Sequence, residues 1–277
     1  MEKKTTAPAA KAAKQSTGGG LNPVWVIPVL FVIALLTYMF ILGDDSHFID
    51  PPTNHKPKPN DYFGLVHSGG VIVPILMTCL LCVVVFSIER FFTIIKATGS
   101  GNLDAFVRKV RSLLDSNNIT DAMKECDKQK GSVGNVVKTA LAKYSLLTTD
   151  GSMDKEQKLA ALQKEVEEAT SLELPMLEKN LTILSTLATV STLIALLGTV
   201  IGMIKAFSAL GAGGGAPDAA ALATGISEAL INTALGIGTS AISIIAYNYF
   251  TSQIDGLTYK IDEIGMSIQQ NFAAHNH

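Results

Sequence analysis

Four long apolar runs constrain the fold of this 277-residue chain more than any other feature. A helix needs about 20 apolar residues to cross a bilayer, whereas runs of roughly 10 to 14 fit a soluble core. The four runs occupy residues 24–43, 71–95, 181–210 and 224–250. The sequence therefore predicts an all-α integral membrane protein with four transmembrane helices.

Basic residues predict how these helices are oriented. The leader 1–23 holds four lysines, and segment 96–180 holds thirteen lysines and arginines. Segment 44–70 has only Lys56 and Lys58, and segment 211–223 has none. The positive-inside rule places both termini, segment 96–180 and the tail 251–277 in the cytoplasm. Segment 44–70, which is rich in proline, is then an extended external linker, and 211–223 is a short external loop.

The first apolar run is interpreted as an uncleaved anchor. A long polar leader precedes it, and no small-x-small cleavage site follows it. We expect this helix to lie outside the remaining spans as an accessory element.

The cytoplasmic part is predicted to be helical. Apolar residues recur at helical spacing through 103–114 and 133–144, and a charged helical stretch starts at Asp154. Pro175 is expected to kink that helix without ending it, so that the third span extends into the cytoplasm. After the fourth span, apolar residues recur at spacings of 3, 4, 3 and 4, which indicates a packed helical seam. The seam consists of Ile254, Leu257, Ile261, Ile264 and Ile268.

Charged residues inside or beside the spans point to function. Glu228 lies in the outer part of the fourth span, where a carboxylate is costly and marks an ion pathway or a partner-facing surface by default. Snorkelling toward the external interface is the alternative. For Lys205 snorkelling is the favoured interpretation, and Glu89-Arg90 are predicted to form an interfacial anchor.

Small polar residues form two stripes on the last two spans, with Glu228 and Asn232 on a neighbouring face. Singly, such residues are ordinary helix contacts in membranes. Two full-length stripes favour a polar-lined passage or a slot for a partner helix. The first stripe contains Thr182, Ser185, Thr189, Thr192 and Thr199, and the second contains Thr233, Gly236, Ser240, Ser243 and Tyr247.

Glycines within these spans predict close helix packing. Gly198 and Gly202 are four residues apart, which allows two helix backbones to approach closely. Gly236 on the fourth span is assigned the same packing role.

At these residues the sequence resembles the ExbB/TolQ/MotA family of proton-driven motor subunits, and specifically its ExbB and TolQ branch. The resemblance is carried by LLGTVIGM at 196–203 and ISEALINTALG at 226–236. It covers roughly residues 65 to 270. Two features depart from the pattern: the extra N-terminal span, and the absence of a proline near residues 241–243.

The resemblance implies a ring-forming subunit, a homopentamer by analogy, in the bacterial inner membrane. The ring would surround a single-span ExbD-like partner that carries the titrating aspartate. Thr199 and Thr233 would line the pore, with Glu228 matching the family glutamate and Ser240 and Asn232 on the proton pathway. The implied work is energising a TonB-like protein for transport across the outer membrane. A TolQ-like subunit of a Tol-Pal system and a MotA-like stator are the alternatives.

Other classes of function find little support. A net charge of −2 indicates no general affinity for nucleic acid. We identify no nucleophile motif, phosphate loop or metal-ligand spacing, so neither an enzyme nor a cofactor is expected. A passive scaffold would share the helical architecture without needing Glu228 or the polar stripes.

Overall fold

The computed structural model describes residues 21–49, 56–212 and 219–275. The lysine-bearing leader up to residue 20, prolines 51 and 52, and residues 213–218 of the predicted loop lie outside these residues. The helices are α1 (Pro23–Leu36, continued by a π-helical turn Thr37–Leu42), α2 (Tyr62–His67), α3 (Ile72–Thr98), α4 (Leu103–Asp115), α5 (Ile119–Gln129), α6 (Gly131–Thr149), α7 (Lys155–Glu178), α8 (Leu181–Ala212) and α9 (Ala219–His275).

The predicted all-α class with four long apolar helices is confirmed. Helical segments long and apolar enough to cross a membrane are found at Pro23–Leu42, Ile72–Asp115, Lys155–Ser208 and Leu222–His275. In three of them the apolar part occupies only one portion of a longer helical segment. The remainder builds a second, polar-surfaced region.

The apolar region is organised around the antiparallel pair α8 and α9. These two helices pack along their length, α3 packs against both, and α1 packs against α3. On α1 only Leu30 and Ala34 are buried, and most of its other apolar side chains are exposed. An apolar surface of this kind is suited to lipid.

The polar region is a helical bundle built around the second half of α9. Helices α4, α6 and α7 contact α9, and α5 closes the bundle through α4 and α6. All five residues of the predicted apolar seam on α9 are buried, from Ile254 to Ile268. The seam prediction is therefore confirmed, and α9 is one continuous helix of about 85 Å that links both regions.

The prediction that Pro175 does not end its helix is confirmed, but the predicted continuity of that helix into the third span is wrong. Helix α7 continues past Pro175 but ends at Glu178, and α8 starts at Leu181. Asn180 between them has φ of +67°, a left-handed conformation that interrupts the helix.

Hydrogen bonds from Arg90 stabilise the end of α7 at this break. Its guanidinium Nη1 donates to the carbonyls of Met176 at 3.2 Å and Leu177 at 3.0 Å, which lie in the last turn of α7. Nε and Nη2 donate to the two carboxylate oxygens of Glu89 at 2.6 and 2.5 Å. Arg90 is only 1% exposed. The predicted interfacial anchor is thus a buried clamp.

Asn180 ties the first helix to the same place. Its Nδ2 donates to the carbonyl of Leu21 at 3.2 Å and to Glu89 Oε2 at 3.4 Å. We call the group formed by Glu89, Arg90 and Asn180 the Arg90 cluster. It marks one end of the apolar region.

At the opposite end, the predicted extended linker is instead a small folded unit in its described parts. A 3₁₀ turn at Asp45–His47 leads into strand β1 (Phe48–Ile49), which pairs antiparallel with β2 (Lys56–Pro57) ahead of α2. Phe48 is buried, and His47 Nδ1 pairs with Asp61 Oδ2 at 2.8 Å. Local hydrogen bonds and one buried aromatic residue hold a segment whose proline content suggested an open chain.

Candidate functional site

The two predicted pore threonines meet between α8 and α9. Thr199 Oγ1 and Thr233 Oγ1 are 2.5 Å apart. Each hydroxyl also lies within bonding distance of a carbonyl in its own helix, Ala195 for Thr199 at 3.1 Å and Ala229 for Thr233 at 3.0 Å. Because a hydroxyl has one proton, one threonine donates to the other while the second donates to its own helix. The pair therefore has two equivalent hydrogen-bond arrangements.

Glycines allow this close meeting of helices. A methyl group on Gly198 would lie 2.9 Å from Asn232 Cβ, and one on Gly236 would lie 2.2 Å from Ala195 Cβ. A methyl group on Gly202 would lie 2.9 Å from the carbonyl oxygen of Gly225. Distances under about 3 Å leave no room for a side chain, so a larger residue would push α8 and α9 apart.

The second polar stripe divides between two environments. Ser243 is buried and its hydroxyl donates to the carbonyl of Leu184 on α8 at 2.6 Å. Ser240 and Tyr247 instead face an open groove of about 390 Å³. The groove is lined by Ser185, Ala188, Thr189, Thr192, Leu193, Ser240, Ile244 and Tyr247.

A second groove begins at Thr199 and is mainly apolar. Its volume is about 560 Å³, and it runs along α8 away from the hydroxyl-lined groove. Besides Thr199 it is lined by Val200, Met203, Ile204, Phe207 and Ser208. Thr199 thus lies at one end of the apolar groove, which α8 alone lines.

Glu228 is paired with Lys205. The Lys205 Nζ lies 3.0 Å from Glu228 Oε2, with the two side chains 55% and 20% exposed. Lys205 is more than half exposed, so it has no buried role in the chain, and its ammonium group also pairs with Glu228. In an antiparallel helix pair, the numbers of facing residues have a nearly constant sum. Lys205 and Glu228 have nearly the same sum as Thr199 and Thr233, so both pairs lie across the same α8/α9 interface. We call this end of the apolar region the Lys205 end.

Asn232 is placed differently from the threonines. Its side chain is 2% exposed, and Nδ2 donates to the carbonyl of Gly69 at 3.0 Å. Its Oδ1 is buried and has no hydrogen-bond partner among the described residues. In the isolated chain Asn232 connects α9 to the segment before α3 and does not line either groove.

The described residues contain no candidate metal site. Among residues 21–49, 56–212 and 219–275, no group of three His, Cys, Asp or Glu side chains is close enough to hold a metal ion. All three cysteines are free and buried. In Cys126, which lies in the helical bundle outside the spans, burial raises the pKa of the thiol to about 12.

Sequence comparisons agree with this geometry. Residues 128–263 match the model of the MotA/TolQ/ExbB proton channel family. This range includes the Thr199–Thr233 pair and Glu228.

Individual relatives belong to the same group. A putative biopolymer transport protein ExbB-like 3 of Synechocystis is 36% identical over 107 residues, covering 38% of this chain and about half (49%) of that protein. A putative ExbB homolog of Methanothermobacter thermautotrophicus is 26% identical over 78% of this chain and 71% of its own length. The Tol-Pal system protein TolQ of Pseudomonas aeruginosa is 28% identical over 70% of this chain and 85% of its own length.

The match to the family model includes all of α8 and most of α9, the two helices that carry the threonine pair and the glutamate. The four apolar helices and the ExbB and TolQ relatives support a multi-pass protein of the bacterial inner membrane. Over residues 128–263, about half of its length, the chain is similar to the MotA/TolQ/ExbB proton channel family.

Proposed function

We propose that this chain is the ring-forming subunit of an inner-membrane motor that converts the proton-motive force into mechanical work. In this proposal both termini and the helical bundle are cytoplasmic, and the Lys205 end faces outward. The ring, a homopentamer, surrounds the membrane helix of a single-span ExbD-like partner. Its output energises a TonB-like protein for transport across the outer membrane. The protein acts as an ion-conducting subunit and not as an enzyme.

The observation that carries the proposal is the joint placement of Glu228 and the Thr199–Thr233 pair. Glu228 and Thr233 are five residues apart on α9, about 7.5 Å along its axis. Both the ion pair and the hydroxyl pair bridge α8 and α9. A carboxylate followed by switchable hydroxyls can bind a proton and orient its next acceptor.

The grooves support a place for partner helices. The hydroxyl-lined groove opens on the α8/α9 surface and presents the side chains of Thr189, Thr192 and Ser240, whereas the apolar groove is lined by α8 alone. Hydroxyl side chains suit a partner helix that carries an ionisable group, because they can accept or donate a hydrogen bond in hydrocarbon. The apolar groove suits the hydrophobic remainder of such a helix or a second copy of this chain.

The free energy of placing a charge in the membrane is similar in size to the energy that one proton supplies. A charged group at the centre of a bilayer costs about 2.5 to 3.5 kcal/mol on insertion scales, and less toward the interface. A proton moving down the potential supplies about 2.3 kcal/mol per 100 mV. Because Glu228 lies toward the interface, the cost of its charge is below this range and of the order of the energy that one proton delivers.

The test is Glu228→Gln in vesicles that contain the chain with its single-span partner. Glutamine is nearly isosteric, so the complex should assemble while proton-driven transport falls sharply. Glu156→Gln, at an exposed position in the first turn of α7, is the matched control and should behave as the wild type. Normal transport by a fully assembled Glu228→Gln complex would remove Glu228 from the mechanism.

A Tol-Pal-type envelope system is the second candidate. The match to Pseudomonas TolQ extends over most of that relative's length, which favours the alternative enough to test it. Purification of the complex from its native membrane separates the two candidates. Recovery of a TonB-like protein and loss of nutrient uptake in a deletion strain support the first, whereas recovery of Tol-like proteins and an envelope defect support the second. A MotA-like stator would yield neither.

A further inference from the structure

The turn at residues 67–70 lies directly over the Lys205–Glu228 pair. A methyl group on Gly70 would be 3.7 Å from Lys205 Nζ and 3.9 Å from Glu228 Oε2. Gly70 has φ of +76°, a backbone conformation that other residues rarely adopt. The backbone at Gly70 therefore forms a close cover on one side of the ion pair.

Helix α9 holds this cover from one side. Asn232, one helical turn beyond Glu228, donates to the carbonyl of Gly69 at 3.0 Å. The bond is buried, so it is not in competition with water. The turn is thereby attached to the same helix that carries the glutamate.

The additional N-terminal span holds the cover from the other side. Tyr38, in the π-helical turn that ends this span, donates its hydroxyl to the carbonyl of His67 at 3.1 Å. Its ring stacks on the His67 ring with centroids 4.4 Å apart and planes 14° apart. The Phe48 ring packs edge-on against the same histidine at 5.3 Å, which connects Tyr38 to the core of the small folded unit.

Tyr38 also lies within electrostatic reach of Glu228. Among the described residues, the ionisable groups near Glu228 are Lys205 from α8 and Tyr38 from the π-helical turn, whose ring stacks on His67 of α2. Helix α3 brings no charged side chain to this end, since its first charged residue is Glu89. The surroundings of Glu228 are thus set by three different parts of the chain.

We propose that Tyr38 is a positioning residue: it holds the 67–70 turn over the Lys205–Glu228 pair and so controls access of water and protons to the pair from the Lys205 end. The effect of Tyr38 on proton transport rests on the proposed function, whereas its effect on access to the Lys205–Glu228 pair follows from the geometry alone. It assigns a role to the additional N-terminal span, which lies outside the part of the chain that matches the family.

The first test measures access without transport. An impermeant amine-acylating reagent is applied to sealed vesicles from the side of the Lys205 end, and acylation of Lys205 is followed by mass spectrometry. Lys56, exposed on the same small unit, is the internal reference. Tyr38→Phe keeps the stacked ring but removes the hydroxyl, and should raise the rate at Lys205 relative to Lys56 by about threefold, as for loss of one hydrogen bond. Tyr38→Leu, which also loses the ring, should raise it further.

The control is Tyr62→Phe, because Tyr62 lies on the same unit but is 79% exposed. It should leave the Lys205 rate unchanged. The second readout is the pH at which partner-dependent proton uptake is half-maximal, which a merely structural role for Tyr38 would not move. It should shift in Tyr38→Phe and not in Tyr62→Phe. Wild-type labelling together with a wild-type pH midpoint in both Tyr38 variants would overturn the proposal.

Glu228→Gln in the same vesicles separates this inference from the proposed function. If it stops proton uptake while both Tyr38 variants match the wild type, only the positioning role of Tyr38 is wrong. If it conducts normally, the proposed function fails, and the Lys205 labelling rates alone then decide whether Tyr38 holds the cover.

Discussion

The two ends of the apolar region each hold one acid–base pair, and the pairs differ in almost every physical respect. Arg90 is 1% exposed and makes four hydrogen bonds, two to Glu89 and two to carbonyls of α7. Lys205 is 55% exposed, and in the part of the chain that the structure describes its ammonium group pairs with Glu228 alone. The first pair is enclosed and multiply bonded, whereas the second is open on one side.

This difference indicates which pair can change state. Removing one member of a buried pair leaves an unpaired charge in a medium of low dielectric constant, so such a pair is held in one arrangement. An exposed pair contributes little to stability and can separate at little cost. The Arg90 cluster therefore acts as a structural joint, and the Lys205–Glu228 pair is suited to a working cycle.

The largest expected effect is on the structural joint. Arg90→Met should lower the free energy of unfolding by about 3 to 5 kcal/mol, because Glu89 and two α7 carbonyls lose their partner in a buried site. Thermal unfolding of the purified protein in detergent measures this. The double variant Arg90→Met with Glu89→Gln should recover part of the loss. If Arg90→Met alone is as stable as the wild type, the pairs at the two ends do not differ in their contribution to stability.

At the other end, Glu228→Gln should change the free energy of unfolding by less than about 1 kcal/mol, because the pair is partly solvated. The same variant should lose most proton-driven transport. Measuring both quantities on one preparation tests the comparison directly. A loss of stability as large as that of Arg90→Met would make Glu228 a structural residue.

The threonine pair should show an intermediate effect. Thr233→Ala should weaken transport less than Glu228→Gln and cost about 0.6 kcal/mol of stability, the average for hydrogen bonds between membrane helices. Cysteines placed at 199 and 233 should react with small polar thiol reagents or crosslink to the partner helix. The three native cysteines are buried and provide the background rate. Reaction with lipid-phase probes only would contradict a polar lumen at these positions.

The smallest effect concerns an exposed pair outside the spans. A hydrogen bond from Lys260 holds the pKa of Asp104 below its ordinary value of 3.8. Since the folded-state pKa is the lower one, the stabilisation is present above the ordinary value and is lost as the pH falls through the lowered pKa. Asp104→Asn should therefore lower the melting temperature slightly at pH 7, and this difference should vanish in strong acid. Asp262→Asn, at an exposed position of α9, is the control.

Features set by interactions within one helix could be predicted from the sequence, whereas contacts between residues far apart in the sequence could not. Helical periodicity located the α9 seam because each residue of the seam repeats a local spacing. The meeting of Lys205 with Glu228 depends on the register of two helices joined by a loop, which no local spacing reports. The clamp of Arg90 on Met176 and Leu177 joins residues more than 80 positions apart.

The role of the segment before α3 shows the same limit. Its prolines predicted an extended linker, because composition describes average stiffness and not particular contacts. The hydrogen bonds of Tyr38 to His67 and of Asn232 to Gly69 involve a backbone carbonyl as acceptor. A carbonyl is present in every residue, so nothing in the sequence distinguishes the one that is used.

The sequence by itself determined the all-α membrane class, the four apolar helices, the packed seam of α9 and the residues that make the chain similar to its family. These properties follow from hydrophobic length and period, which act within one helix. Only the tertiary structure decided that Arg90 clamps a helix break, that Lys205 pairs with Glu228 and that the 67–70 turn covers this pair. Each of these depends on the antiparallel register of packed helices, which is set by side-chain fit over the whole interface.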